Sequence, residues 1–421
     1  MKITFYGGAG EVGRSAALLE DAGRNILLDC GIKLGEKTAL PLIPEESLAE
    51  IKNVFISHAH LDHSGYIPHI YAKNLAPKVF LTKPTRDLMG VLLADYLKIQ
   101  KLRKEELKFS EKDVNKVMQR SQIQEFNQQF VSDFSISLHN AGHILGSAMA
   151  LVERNGKKVL YTGDISMRNT RIMEGAERGI TAETLVVEST YAGKNDVLPS
   201  AKDTMKALVG SINQTLAEGG FVLIPSFAVG RAQEILLSLE DHMRSGILTK
   251  APIYIDGMIS KAMRIYRQNV IYASESIKMR ILTSDDDPFK SKFFHMPRTR
   301  GRSEVFSEPA IIVTTGGMLL GGPALLYLEK MRSDPKNKMI IVGYQAEGTL
   351  GRKILSGEGK ITLGEKEVEL RMKVESIRIS GHADRNELLQ FIKGVRGLKR
   401  VFLVHGERGA EMAEALERDY E

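Results

Sequence analysis

Four potential metal ligands crowd into six residues, His58-Ala-His60-Leu-Asp62-His63. They follow the apolar run Val54–Ser57, which reads as a strand, and precede helical periodicity over Ser64–Asn74. A strand that empties into a loop and then a helix aims all four side chains into one pocket. His-x-His supplies two imidazoles to one ion, and the adjacent Asp62 and His63 diverge toward a second. A lone histidine is most often structural, but packing does not explain this density.

A two-ion centre needs more ligands, and other strand ends supply them. Asn140-Ala-Gly-His143 puts a histidine in a glycine-flanked loop between strands. Tyr161-Thr-Gly-Asp164 and Leu403-Val-His405 put a carboxylate and an imidazole just past apolar runs. Loops at strand ends are where a rigid scaffold carries such groups. Seven ligands serve two ions if Asp164 bridges: His58, His60 and His143 on one, Asp62, His63 and His405 on the other. Each ion then keeps an open position, the mark of a catalytic rather than a structural site. The histidine and aspartate set favours zinc, with manganese or another divalent ion as the alternative.

Short strand-like runs separated by turns dominate the first 161 residues, with helical periodicity at Ser64–Asn74 and Pro84–Lys104, and from about 184 strands alternate with helices, which reads as a parallel βαβ sheet. After Gly343 the chain turns strand-rich again, with runs at Ile361–Leu363, Glu367–Lys373 and Ile377–Ile379. Gly8-Ala-Gly10-Glu-Val-Gly13, with Asp29 beyond it, mimics a dinucleotide-binding fingerprint. That fingerprint requires a helix, whereas Arg14–Glu20 is short and Asp21-Ala-Gly23 breaks it, so a glycine turn between strands is the better reading. The single cysteine, Cys30, excludes an intramolecular disulfide and a cysteine-rich zinc site, and fits a reducing, cytoplasmic setting. No apolar run approaches the ~18 residues of a membrane span. The formal charge of +6 permits nucleic-acid binding without arguing for it.

With these residues in view, the chain resembles the metallo-β-lactamase superfamily. Val187-Glu188-Ser-Thr-Tyr191, Ser380-Gly-His382-Ala-Asp384 and Val404-His405-Gly resemble the three additional motifs of its β-CASP nucleases. Pro225-Ser-Phe-Ala-Val-Gly-Arg231 and Gly343-Tyr-Gln-Ala-Glu-Gly-Thr349 resemble the cleavage and polyadenylation specificity factor branch, in a short archaeal or bacterial form. The resemblance implies an α/β protein in which an αββα sandwich, from residues 1–190 and 358–421, receives an inserted β-CASP domain at 191–357 built on a parallel sheet. It implies a ribonuclease that hydrolyses single-stranded RNA with a metal-bound hydroxide as nucleophile and leaves 3′-hydroxyl and 5′-phosphate ends. Cleavage is endonucleolytic, with 5′→3′ exonucleolytic action as an open addition, in RNA processing or decay.

Within that resemblance His382, Glu188 and Asp62 form the catalytic set. His382 protonates the leaving oxygen or stabilises the transition state, and Glu188 holds it protonated. Asp29 orients a ligand histidine. Ser226 and Arg231 flank a helix start and are candidates for RNA phosphate contacts, weighed evenly against helix capping and surface pairing. Arg298, Arg300 and Arg302 read as a solvated loop before an RNA-facing one. His69, His139, His242 and His295 are assigned to structure. The partners expected are single-stranded RNA and no membrane, with a homodimer left open. Two other functions stay open: a catalytically inactive RNA-processing subunit, against which the full ligand set argues, and a small-ester or thioester hydrolase, against which His382 argues.

Overall fold

A computed structural model describes the whole chain except Glu36, Asp285, Thr299, Arg300, Ala346, Glu347, Glu358, Glu365, Arg418 and Glu421. The described residues form two compact units. The first comprises Met1–Asn169, Met173–Val197 and Gly381–Glu421, and the second Thr170–Ile172 and Leu198–Ser380.

Two six-stranded sheets form the first unit. One begins as the antiparallel meander Lys2–Gly7, Ala16–Asp21 and Arg24–Leu28, then continues in parallel through Asn53–Phe55, Lys78–Leu81 and Ser121–Ile123. The other runs antiparallel through Gln129–Val131, Ser135–Asn140, Ala148–Arg154 and Lys157–Tyr161, then adds Thr184–Glu188 and Arg400–Val404 in parallel. The alternation of apolar residues along these strands gives each sheet an inward face. Leu19, Ile26, Leu28 and Phe55 from one sheet pack against Ile136, Leu138, Val152 and Val186 from the other. Each such side chain contributes roughly 1.5–3 kcal/mol when fully buried. The outer face of the second sheet, through Leu160, Leu185 and Val187, packs on Leu388, Phe391 and Ile392 of helix Arg385–Gly394 and on Met412 and Leu416 of helix Gly409–Leu416. This is the αββα sandwich expected.

The strand-rich start also decides the glycine motif. Gly8, Gly10 and Gly13 take positive φ and lead into a strand at Ala16, so no helix opens there to hold a pyrophosphate.

The second unit carries a six-stranded parallel sheet in the order Phe294–His295, Ile253–Asp256, Ile311–Thr315, Val222–Ser226, Lys338–Ile341 and Lys373–Ser376. Lys373–Ser376 pairs with Lys338–Ile341, and this compact unit extends to Ser380. The expected strands at Glu367–Lys373 and Ile377–Ile379 are replaced by a hairpin, Lys360–Leu363 with Lys366–Glu369, and by this edge strand. In the acidic run at 285–287, Asp286 accepts from Arg244 at 2.6 Å and Arg280 at 2.7 Å, and Asp287 pairs with Arg267. Asp285 lies outside the described residues. No helix among the described residues is long and apolar enough to cross a membrane.

Candidate metal centre

All seven expected ligands belong to the first unit, and their ligating atoms converge. Strand Asn53–Phe55 delivers His58 and His60 into a loop. The helix expected from Ser64 starts earlier: Leu61–Ser64 forms one short turn with Asp62 and His63 inside it, and Ile67–Ala72 forms another. Asp62 and His63 thus stand on helical backbone, with the His63 ring centroid 4.2 Å from that of His58. Gly31 allows this turn to sit close, because a Cβ there would lie 1.7 Å from the Asp62 carbonyl oxygen.

The carboxylate of Asp164 divides the cluster. Its Oδ2 lies 3.5 Å from His58 Nε2 and 3.7 Å from His143 Nε2, and His60 Nδ1 lies 3.1 Å from the first and 3.2 Å from the second. Its Oδ1 lies 3.3 Å from His63 Nε2 and 3.4 Å from His405 Nδ1. Asp62 Oδ2 completes this side, 3.1 Å from His405 Nε2 and 4.0 Å from His63 Nε2.

These atoms suit a cation. His63 Nε2 and Asp164 Oδ1 are buried with no hydrogen-bond partner, a costly condition unless an ion satisfies them. Several ring nitrogens face one another at hydrogen-bond distance, where lone pairs repel unless a proton or a metal stands between them. The electrostatics agree. Burial and the neighbouring imidazoles hold the His58 and His143 pKa values well below the ordinary range, keeping the rings neutral as ligands. Burial also disfavours charge on His63 and His405, but Asp164 and the adjacent carboxylates outweigh it and push both upward. Burial opposes ionisation of Asp164 too, yet His405, His63 and His382 hold it far below the carboxylate range. Positive charge is what this pocket accommodates.

Partners beyond the ligands fix the tautomers. His143 Nδ1 donates to the Gly381 carbonyl at 2.7 Å, leaving Nε2 to face Asp164. His63 Nδ1 lies 2.6 Å from Asp29 Oδ2, likewise freeing Nε2. Asp29 is fully buried and also accepts from the Ser57 amide, the Ser57 hydroxyl and the Tyr161 hydroxyl, each at 2.7 Å. A carboxylate with this many donors is held rigid, and it rigidifies the imidazole it meets. Ser57 and Tyr161 were not anticipated. Their signal was position, each closing a strand that leads to a ligand. His405 takes a φ of 52°, and its amide donates to the Gly8 carbonyl at 2.6 Å, which gives the first glycine turn its role.

His382 stands at the edge of the cluster. Its Nδ1 lies 3.0 Å from both oxygens of the buried Glu188 and 3.9 Å from Asp164 Oδ2. The His382 side chain is 19% exposed where Glu188 is sealed. Ser226 and Arg231 belong to the second unit. Ser226 ends a central strand, and its hydroxyl donates to the Phe227 carbonyl at 3.3 Å. Arg231 is the first residue of helix Arg231–Arg244, not its cap. Arg302 is not a solvated loop residue, since it pairs with Asp256 and lies over the Tyr327 ring. Arg300 lies outside the described residues. The other histidines have structural partners: His69 the Lys108 carbonyl, His139 Ser137 and Glu177, His242 the Ser238 carbonyl and His295 the Tyr254 ring.

Three family models match successive parts of the chain. Residues 18–190 match the metallo-β-lactamase superfamily domain, 232–354 the Beta-Casp domain, and 367–420 the Zn-dependent metallo-hydrolase RNA specificity domain. A transcription termination factor FttA from Methanothermobacter thermautotrophicus is 39% identical over all of this chain and 69% of its own length. The chain belongs to the β-CASP branch of the metallo-β-lactamase superfamily. An RNase J-like protein from Methanocaldococcus jannaschii is 38% identical to this β-CASP protein over 98% of the chain and 94% of the relative. A crystal structure of a protein of unknown function from Enterococcus faecalis shares the fold at 13% identity, with a TM-score of 0.58 over 97% of this chain and 95% of that one. Membership in this superfamily implies divalent-metal binding, as the cluster does.

Proposed function

We propose that this β-CASP protein is a two-metal ribonuclease that hydrolyses single-stranded RNA to 3′-hydroxyl and 5′-phosphate products. The observation that carries the proposal is the pair of ligand sets facing opposite oxygens of Asp164, with His382 beside them held by Glu188. His58, His60 and His143 would hold one zinc ion, Asp62, His63 and His405 the other, and Asp164 both. When bound, two such ions supply Lewis acidity at a phosphodiester and ionise a water near neutral pH.

The chain's own residues do the rest. Glu188, buried against His382, holds that ring in place by a hydrogen bond. That ring donates a proton to the leaving oxygen or a hydrogen bond to the charge developing on the phosphoryl group. Asp62, beside His405, holds the second ligand set in the orientation that attack needs. Ser226 and Arg231 are the candidates for gripping phosphates in the second unit.

The names of the relatives leave two readings. The RNase J-like relative supports RNA hydrolysis, and the termination factor supports action on RNA in transcription. A complete ligand set favours catalysis over an inactive subunit. Single-stranded RNA labelled separately at each end should be cut by the wild-type protein. Chelation should abolish cutting, and zinc or manganese should restore it. Intact RNA with two ions bound would overturn the reading.

Asp29 gives an independent expectation. Asp29→Ala leaves His63 Nδ1 without its acceptor while all seven ligands remain. Metal affinity should fall about 10- to 100-fold. Competition with a zinc-binding dye reads this directly, and unchanged affinity would show that Asp29 has no orienting role.

A further inference from the structure

We propose that Arg168 is a positioning residue for His382, acting as a clamp on the loop that carries it. The inference rests on the ribonuclease reading above and names a residue that neither the motifs nor the ligand geometry assign. His382 lies in Gly381-His382-Ala383-Asp384, and two contacts within the first unit pin that segment on either side of it. Ahead of His382, the Gly381 carbonyl accepts from His143 at 2.7 Å. After it, the Ala383 amide donates to the Ile165 carbonyl at 2.7 Å. The Ile165 amide in turn donates to Glu188 Oε1 at 2.7 Å, so the backbone of one residue next to Asp164 meets both the His382 segment and the carboxylate partner of His382.

Arg168 closes the arrangement. Its Nη2 lies 3.0 Å from Asp384 Oδ2 and its Nε 2.6 Å from Glu387 Oε1. Those two acids already form a reciprocal cap on helix Arg385–Gly394: Asp384 Oδ1 accepts from the Glu387 amide at 3.0 Å, and Glu387 Oε2 accepts from the Asp384 amide at 2.9 Å. A capping box is complete without a cation. What the guanidinium adds is a rigid bridge from the Asp164 loop to the residue two beyond His382. Asp384 is only 4% exposed, so this pair is shielded from water and stronger than a surface pair. The planar fork matches two carboxylates at once, which a lysine does not.

Without the clamp, the His382 loop keeps its helix cap and its backbone contacts at Gly381 and Ala383 but loses its side-chain tie to the Asp164 loop. A misplacement near 1 Å in a catalytic group is worth about 100-fold in rate. Arg168→Ala should therefore lower kcat by about 100-fold, with KM and metal content near wild type. Arg168→Lys should recover part of that loss. Adding Arg168→Ala to His382→Ala should cost nothing further, because a clamp that works through His382 has nothing left to position. A multiplicative loss in the double variant, or loss of metal from Arg168→Ala, would overturn the proposal. The crystal structure of Arg168→Ala is a second readout independent of activity: the His382–Glu188 contact should open beyond its 3.0 Å, and an unchanged contact would also overturn it. Failure of the wild-type protein to cut RNA would instead overturn the ribonuclease reading, and the crystallographic result would still decide the clamp.

Discussion

Replacing Asp164 with asparagine should prevent the proposed two-ion centre from forming and abolish hydrolysis. The change keeps the side chain's shape and removes its charge. That charge sits between two sets of imidazoles, with one oxygen 3.5 and 3.7 Å from His58 and His143 and the other 3.3 and 3.4 Å from His63 and His405. An amide offers one neutral oxygen and one donor nitrogen, so it bridges no pair of cations. The fold should persist, since the sandwich core does not depend on this side chain. Elemental analysis should show fewer than two ions per chain, and the wild-type thermal midpoint should rise with zinc where the variant's does not. Two ions and near-wild-type rates in Asp164→Asn would remove the bridging role.

His382→Ala should separate chemistry from metal binding. The ligand sets are complete without His382, and its nearest approach to the bridging carboxylate is 3.9 Å. Its strong contact is with Glu188, a residue buried at the end of strand Thr184–Glu188. We expect two ions retained and a rate lowered by ~10²–10⁴-fold, the range for removal of a general acid. Loss of an ion from this variant would make His382 a ligand instead.

Residues close in sequence were legible in proportion to how local their chemistry is. His58, His60, Asp62 and His63 declare themselves because four ligand types in six residues leave packing no explanation. Asp164 and His405 are legible by one rule, that a ligand type stands where an apolar run ends, and His143 by its place in a glycine-flanked loop between strands. The contact between Glu188 and His382 spans 194 residues, and no spacing announces it; it came from the resemblance alone. Local periodicity misplaced the helix after the motif because Leu61–Ser64 and Ile67–Ala72 are separate short turns set by the ligand loop, not by an apolar stripe. It also missed the edge strand Lys373–Ser376, whose half-exposed, charged residues carry little strand signal yet complete the parallel sheet. Arg168 was invisible for a related reason. The capping pair Asp384 and Glu387 is readable at its three-residue spacing, but its third partner lies more than 200 residues earlier.

The central claim is hydrolysis of RNA by a two-ion centre, and the chemical ends of the products test it most directly. Water attack on phosphorus leaves the RNA 2′-hydroxyl outside the reaction. Mass spectrometry of fragments from a defined single-stranded RNA should therefore show 3′-hydroxyl and 5′-phosphate termini. Cutting should continue at a site carrying a 2′-O-methyl group. Cyclic 2′,3′-phosphate termini would contradict the account, because they require the 2′-oxygen as the nucleophile.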